Sequence, residues 1–131
     1  MPEQAIVVVM TNVPDLLLAK RIAHLLIEEQ LAACVNIGTP MLSIYGWKGE
    51  VEGAEEIPMI IKTTCDKQHA MIERLVALHP YDIPEALVMP TLGGYGPYLD
   101  WVRSLTSGIS ISGTDTSIQK TNDTNESGTK P

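Results

Sequence analysis

The sequence predicts an α+β fold of the ferredoxin-like kind, a βαββαβ sandwich with a short extra C-terminal helix. Three observations predict it. Apolar runs of strand length alternate with two stripes at helical spacing, the second and third strands meet at a tight reversal with no helix between them, and the composition changes sharply after Leu105. A chain of 131 residues with 44% hydrophobic residues has room for one core and not for two.

Ala5 to Thr11 is a continuous apolar run ending in polar residues, the pattern of a central strand buried on both faces. Thr11-Asn12-Val13-Pro14-Asp15 follows as a loop and helix start, with Thr11 or Asn12 as the cap and Pro14 in the first turn. Leu18, Ile22, Leu25 and Leu26 then make the apolar stripe of an amphipathic helix, with Lys20, Arg21, His24 and Glu28 around the rest. Cys34 to Tyr45 reads as the second strand, irregular at Gly38-Thr39-Pro40, and Ile57 to Thr64 as the third. Trp47-Lys48-Gly49-Glu50 is the reversal between them, Gly49 supplying the positive φ such a turn needs. Pro40 and Pro58 cannot donate to a ladder, so each marks an edge, a bulge or a strand end.

Asp66 is placed to cap a second helix whose stripe is Met71, Ile72, Leu75 and Val76, and Pro80 stops it just after His79. A short fourth strand runs from about Glu85 to Met89. Gly93, Gly94 and Gly96 form a loop, and Pro97 opens a last helix with Tyr98, Trp101, Val102 and Leu105 on one face. Residues 1–105 are thus one domain. Residues 106–131 are Ser/Thr/Gly-rich, with Ile109, Ile111 and Ile118 the only sizeable apolar side chains, too little to offset the entropy of ordering, and disorder is expected.

The formal charge is −7, and the segment after Leu105 contributes only −1 of it, so the acidity belongs to the body. Nucleic acid is excluded as a partner, because neutralising phosphates takes clustered Lys and Arg. An acidic body concentrates cations instead. Cys34 and Cys65, alone in segments that read as strand or strand end, make no disulfide framework. The start, Met1-Pro2-Glu3-Gln4, has no basic region of a signal peptide, and Ala5 to Met10 is too short to span a bilayer. A soluble, cytoplasmic protein without a membrane partner is expected. With no Phe, the core rests on Leu, Ile, Val and Met.

The chemistry-bearing residues are few. His79, Asp82 and Glu85 lie at spacings of three across a segment stiffened by Pro80 and Pro84, and imidazole with carboxylates suits Zn or Cu(II). The plainer role for His79 is to meet the negative end of its helix, with Asp82 a solvated turn residue. Cys34 is either a soft ligand for Cu(I) or Zn, or a small apolar residue filling space. His24 and His69 sit on polar helix faces. Gly93-Gly94-Tyr95-Gly96-Pro97 is a turn and not a phosphate loop, since no Lys-Ser/Thr pair follows. Neither a Gly-x-Ser-x-Gly elbow nor a His-Glu-x-x-His helix is present, and no nucleophile stands beside His79 and Glu85, so no enzyme is expected.

Several motifs in fixed order carry a resemblance: Ala32-Ala33-Cys34-Val35-Asn36-Ile37, Ser43-Ile44-Tyr45-Gly46-Trp47-Lys48-Gly49, Ile60-Ile61-Lys62-Thr63-Thr64, His79-Pro80-Tyr81-Asp82-Ile83-Pro84-Glu85 and Tyr98-Leu99-Asp100-Trp101. From Ala5 to Leu105 the chain resembles the CutA divalent-cation-tolerance family. The resemblance implies a compact homotrimer related to the P-II signalling proteins, with hairpin strands pairing across subunits. It implies a role in metal tolerance and homeostasis with bound divalent cation, copper above all. His79, Glu85 and Cys34 are the metal candidates it gives, with Lys62, Tyr45, Trp47 and Asp82 at a cleft between subunits. Family members carry a Cys near the Thr11–Asn12 position, so a cluster of several thiols is absent here. The sequence itself points to association, because a long hairpin ending in Tyr45 and Trp47 leaves a free edge and exposed aromatics. The number three rests on the resemblance. An alternative from the same likeness is a signalling or scaffold trimer that takes a small anionic ligand or protein partner in the cleft, with Lys62 as anchor.

Overall fold

The computed structural model describes residue 2 and residues 4–107. The elements are β1 (Ile6–Val13), α1 (Leu16–Glu28), β2 (Cys34–Ile37), β3 (Met41–Trp47), β4 (Glu50–Thr64), α2 (Gln68–Leu78), β5 (Leu87–Pro90) and α3 (Gly96–Leu105). The sheet runs β2-β4-β1-β5 with every pairing antiparallel, and β3 pairs with the first half of β4. This is the expected ferredoxin-like α+β arrangement, in which both crossover helices lie on one face of the sheet.

Alternation along β1 shows which face that is. Val7, Val9, Thr11 and Val13 are buried, and Val9 and Val13 join Ala19, Ile22 and Leu26 of α1 and Met71 and Leu75 of α2 in the core. The other face of β1 is only half-covered at Val8 and Met10. The expectation of a strand buried on both faces therefore gives way: α1 and α2 cover one side, and only the Ile6 end of the other side is covered, by α3 (Gly96–Leu105). A small second cluster, Ile6, Ala33 and Val102 with Tyr98, Leu99 and Trp101, seats α3. Thr106, assigned to the tail by composition, is buried at the end of α3, where its hydroxyl donates to the Val102 carbonyl at 2.9 Å. Residues 108–131 lie outside the described residues, and the expected disorder lies there with them.

Several boundaries differ from the sequence reading. Asp15 caps α1, its Oδ1 accepting from the Leu18 N–H at 2.8 Å, because β1 runs on to Val13 opposite Ile57 and leaves Thr11 and Asn12 inside the strand. Pro14 consequently precedes the cap. The expected second strand is broken into β2 and β3 at Gly38, whose N–H donates to the Pro58 carbonyl at 2.9 Å. A Cβ on residue 38 would meet Pro58 Cγ at 2.8 Å, so the close approach needs glycine. The third strand begins at Glu50 and not at Ile57, since residues 50–56 pair with β3 in a ribbon that extends beyond the body. Its turn has positive φ at Lys48 (51°) as well as Gly49 (82°), the two-residue geometry whose twist matches a hairpin. Asp66 sits in a single 3-10 turn, Cys65–Lys67, and accepts from the Thr64 hydroxyl and from Gln4 Nε2 at 3.3 Å; it does not cap α2. The last strand starts at Leu87, two residues late.

Candidate functional site

The β3–β4 ribbon has two faces of different chemistry. Pairing sets Tyr45 opposite Glu52, Ser43 opposite Ala54 and Trp47 opposite Glu50. Alternation then puts Ser43, Tyr45 and Trp47 on the same side as Glu52, Ala54 and Glu56. Leu42, Ile44 and Val51 fall on the reverse, with Gly53 leaving room for the Ile44 side chain. The first side looks onto the segment that follows α2. Between them lies an open cleft of about 550 Å³, its walls Tyr45, Trp47, Glu52 and Glu56 on the ribbon and Tyr81, Asp82 and Glu85 opposite.

His79 holds that opposite wall in place. Its side chain is 7% exposed. Nδ1 accepts from the Tyr81 N–H at 3.3 Å, which assigns the ring proton to Nε2, and Nε2 donates to the Asn12 carbonyl at 2.8 Å. The His79 and Tyr81 rings stack obliquely, with centroids 4.6 Å apart. Asn12 in turn donates from Nδ2 to Glu85 Oε1 at 2.9 Å. The end of β1, the end of α2 and the start of the last strand are thus tied together by one imidazole and one amide.

Glu56 is the buried carboxylate of the described residues, at 8% exposure. The Tyr81 hydroxyl donates to its Oε2 at 2.8 Å, and Oε1 has no hydrogen bond among the described residues. Burial first, then the bond and charge of Glu56, and lastly Tyr45 push the Tyr81 phenol up to about 12. At the ribbon's end Lys48 Nζ stands 5.6 Å from the centre of the Trp47 ring.

The structure therefore brings Tyr45, Trp47, Asp82 and Glu85 to one cleft and adds Glu52, Glu56, Tyr81 and Asn12. His79 stands behind the wall with both ring nitrogens engaged. Cys34 and Lys62 face each other across β2 and β4, whereas Asn12, the partner of Glu85, faces Pro58, four residues along β4 and so roughly 13 Å away. Lys62 donates from Nζ to Asn36 Oδ1. Cys34 lies beside Tyr98, whose phenol is raised by burial and then by the thiol. Among the described residues, no three of His, Cys, Asp and Glu gather closely enough to hold a metal ion. The sequence signal for Glu52 and Glu56 was their alternation onto the ribbon face that carries Tyr45 and Trp47, visible only once the strand is extended back to Glu50.

Fold and cleft together define a small ferredoxin-like domain with an acidic, aromatic cleft beneath an extended ribbon. The sequence model of the CutA1 divalent ion tolerance protein family matches residues 7–105. The divalent-cation tolerance protein CutA of Thermus thermophilus is 46% identical over 99 residues, 76% of this chain and 96% of that protein. Protein CutA of Mus musculus is 42% identical over 101 residues, 77% of this chain but only 57% of its own length. The solved structure of the Thermus protein superposes with a TM-score of 0.75 at 44% identity, covering 77% of this chain and 98% of that one. The chain belongs to the CutA1 divalent ion tolerance family.

Proposed function

We propose that this chain serves divalent-cation tolerance as a homotrimer that binds divalent cations, copper(II) among them, at the cleft beneath the ribbon, without turnover. The observation that carries the proposal is the lining of the cleft: Glu52, Glu56, Asp82 and Glu85 with no Lys, Arg or His among them. Oxygen donors suit hard and borderline divalent ions, and the body's net acidity raises their local concentration. They do not suit Cu(I), for Cys34 is remote and His79 offers no free nitrogen. Because one subunit does not gather a full donor set, a neighbouring subunit is required to complete it. The apolar reverse of the ribbon supports that neighbour, with Leu42 at 72%, Ile44 at 64% and Val51 at 81% exposure in the single chain. The alternative of a small anionic ligand anchored by Lys62 has less support, since Lys62 is not among the residues that line this cleft.

Calorimetric titration of the pure protein with Mg²⁺, Zn²⁺ and Cu²⁺ tests the reading, alongside Glu85→Gln, Glu52→Gln, His79→Ala and Cys34→Ala. The two carboxylate variants are expected to weaken binding about tenfold or more, and Cys34→Ala to leave it unchanged. Affinity lost only in His79→Ala and Cys34→Ala would move the metal site out of the cleft.

A further inference from the structure

The cleft carboxylates are spread out, and that spread sets what else they can hold. Glu52 and Glu56 are four residues apart on β4, roughly 13 Å, and Asp82 and Glu85 stand on the other wall. A single metal ion is a point and needs its donors converging within a few ångströms. Converging donors are absent among the described residues of one subunit. Aromatic rings line the same cleft instead: Tyr45 stands opposite Glu52, Trp47 lies one pair further along the ribbon, and Tyr81 is bonded to Glu56. Aromatic faces do little for a hydrated metal ion, yet they attract alkylammonium groups and cover the methylenes that join them.

Glu56 supplies the second, independent observation. The residue is 8% exposed, and no Lys, Arg or His pairs with it among the described residues. One oxygen takes the Tyr81 hydroxyl, the other has no hydrogen bond among the described residues, and the residue lines the cleft. A buried carboxylate with a single neutral donor is under-compensated, and a cation arriving in the cleft supplies what is missing.

We propose that the cleft binds a linear aliphatic polyamine, one ammonium at Glu56 and another toward Glu52, with the connecting methylenes lying on Tyr45 and Tyr81. This goes beyond the divalent-cation reading and does not rest on it, because it uses the spacing of the carboxylates and the rings that line the cleft with them.

Calorimetric titration of the full chain with spermidine, in parallel with Mg²⁺, tests the proposal. Spermidine is expected to bind once per chain. Glu56→Gln weakens it about tenfold, and Tyr45→Leu, which keeps every charge, weakens it about fivefold. Glu28→Gln, an equal loss of charge on α1, has no effect. Should Glu56→Gln lower the melting temperature markedly, Glu52→Gln, on the exposed ribbon, takes its place. Spermidine binding that ignores Tyr45→Leu, or that falls equally in Glu28→Gln, is plain attraction to an acidic surface and overturns the proposal. Mg²⁺ binding with no spermidine binding overturns it and leaves the divalent-cation reading standing; spermidine binding with no divalent ion bound does the reverse.

Discussion

Two side chains show how single atoms decide stability here. Tyr81 has its phenol raised from 10.0 to about 12, so the folded chain holds that proton more tightly than the unfolded chain does. The associated stabilisation is complete below pH 10 and is lost as pH rises through about 12. Unfolding by urea across that range should therefore show the native protein losing roughly 1–2 kcal/mol more than Tyr81→Phe does, the upper limit reduced because the ring is partly exposed. Parallel curves for the two proteins would mean the phenol is not shifted. Thr11 presents the opposite case. Its hydroxyl is buried beneath the helices with no hydrogen-bond partner among the described residues, while Thr63, on the same buried face, donates to the Leu31 carbonyl at 2.8 Å. Thr11→Val is expected to leave stability unchanged or raise it by about 1 kcal/mol, and Thr63→Val to lower it by about 1 kcal/mol. Denaturant midpoints of the two variants in one series check the contrast.

At the scale of elements, α1 ends on a residue that the sequence does not mark. Gln30 has φ of 61°, its N–H donates to the Ile27 carbonyl at 3.0 Å, and the Leu31 N–H reaches back to Leu26 at 2.9 Å. This is the left-handed helix stop that glycine usually provides. Gln30→Gly should stabilise the fold by up to about 1 kcal/mol, read as a higher melting temperature, provided the relief of strain exceeds the extra entropy of the unfolded chain. The helices were legible because Leu18, Ile22 and Leu26, and likewise Met71 and Leu75, repeat at helical spacing and all reach the core. The first cap was not legible, since Thr11, Asn12 and Asp15 are all capping types and only the pairing of Val13 with Ile57 decides among them. The ribbon was half legible. Tyr45, Trp47 and Gly49 announce the turn, but residues 50–56 contain four Glu and a Gly and do not resemble a strand; they become one by pairing with β3, away from any core. Of the candidate site, the sequence marks the 79–85 segment that walls the cleft but not which of its atoms are free to face it. Spacing reveals an imidazole beside carboxylates, but it does not reveal that two backbone groups already use both of its nitrogens.

For the whole molecule, two apolar surfaces have no partner among the described residues of the single chain. One is the reverse of the ribbon, Leu42, Ile44 and Val51. The other is the sheet face away from α1 and α2, where Ile60, Met10 and Leu87 stand in register across β4, β1 and β5. Burying a fully exposed side chain of this kind is worth about 1.5–3 kcal/mol, and less for the part-covered Ile60 and Met10, so sharing both surfaces would offset much of the cost of associating. If the proposed trimer uses them, Val51→Lys should dissociate it on the ribbon side and Leu87→Lys on the sheet side, each lowering the mass seen by light scattering at micromolar concentration. Retention of the native mass by both would remove these surfaces from the interface. A further consequence separates a shared cleft from one that each subunit owns alone. When a neighbour helps form the cation site, binding and assembly are linked, and whatever tightens one tightens the other by the same factor. Added Mg²⁺ should then restore mass to Val51→Lys at concentrations where the metal-free variant has come apart, and it should do so less well in the double variant Val51→Lys, Glu85→Gln. A cleft complete within one subunit would bind the ion equally in both assembly states and leave the dissociation constant of Val51→Lys where it was.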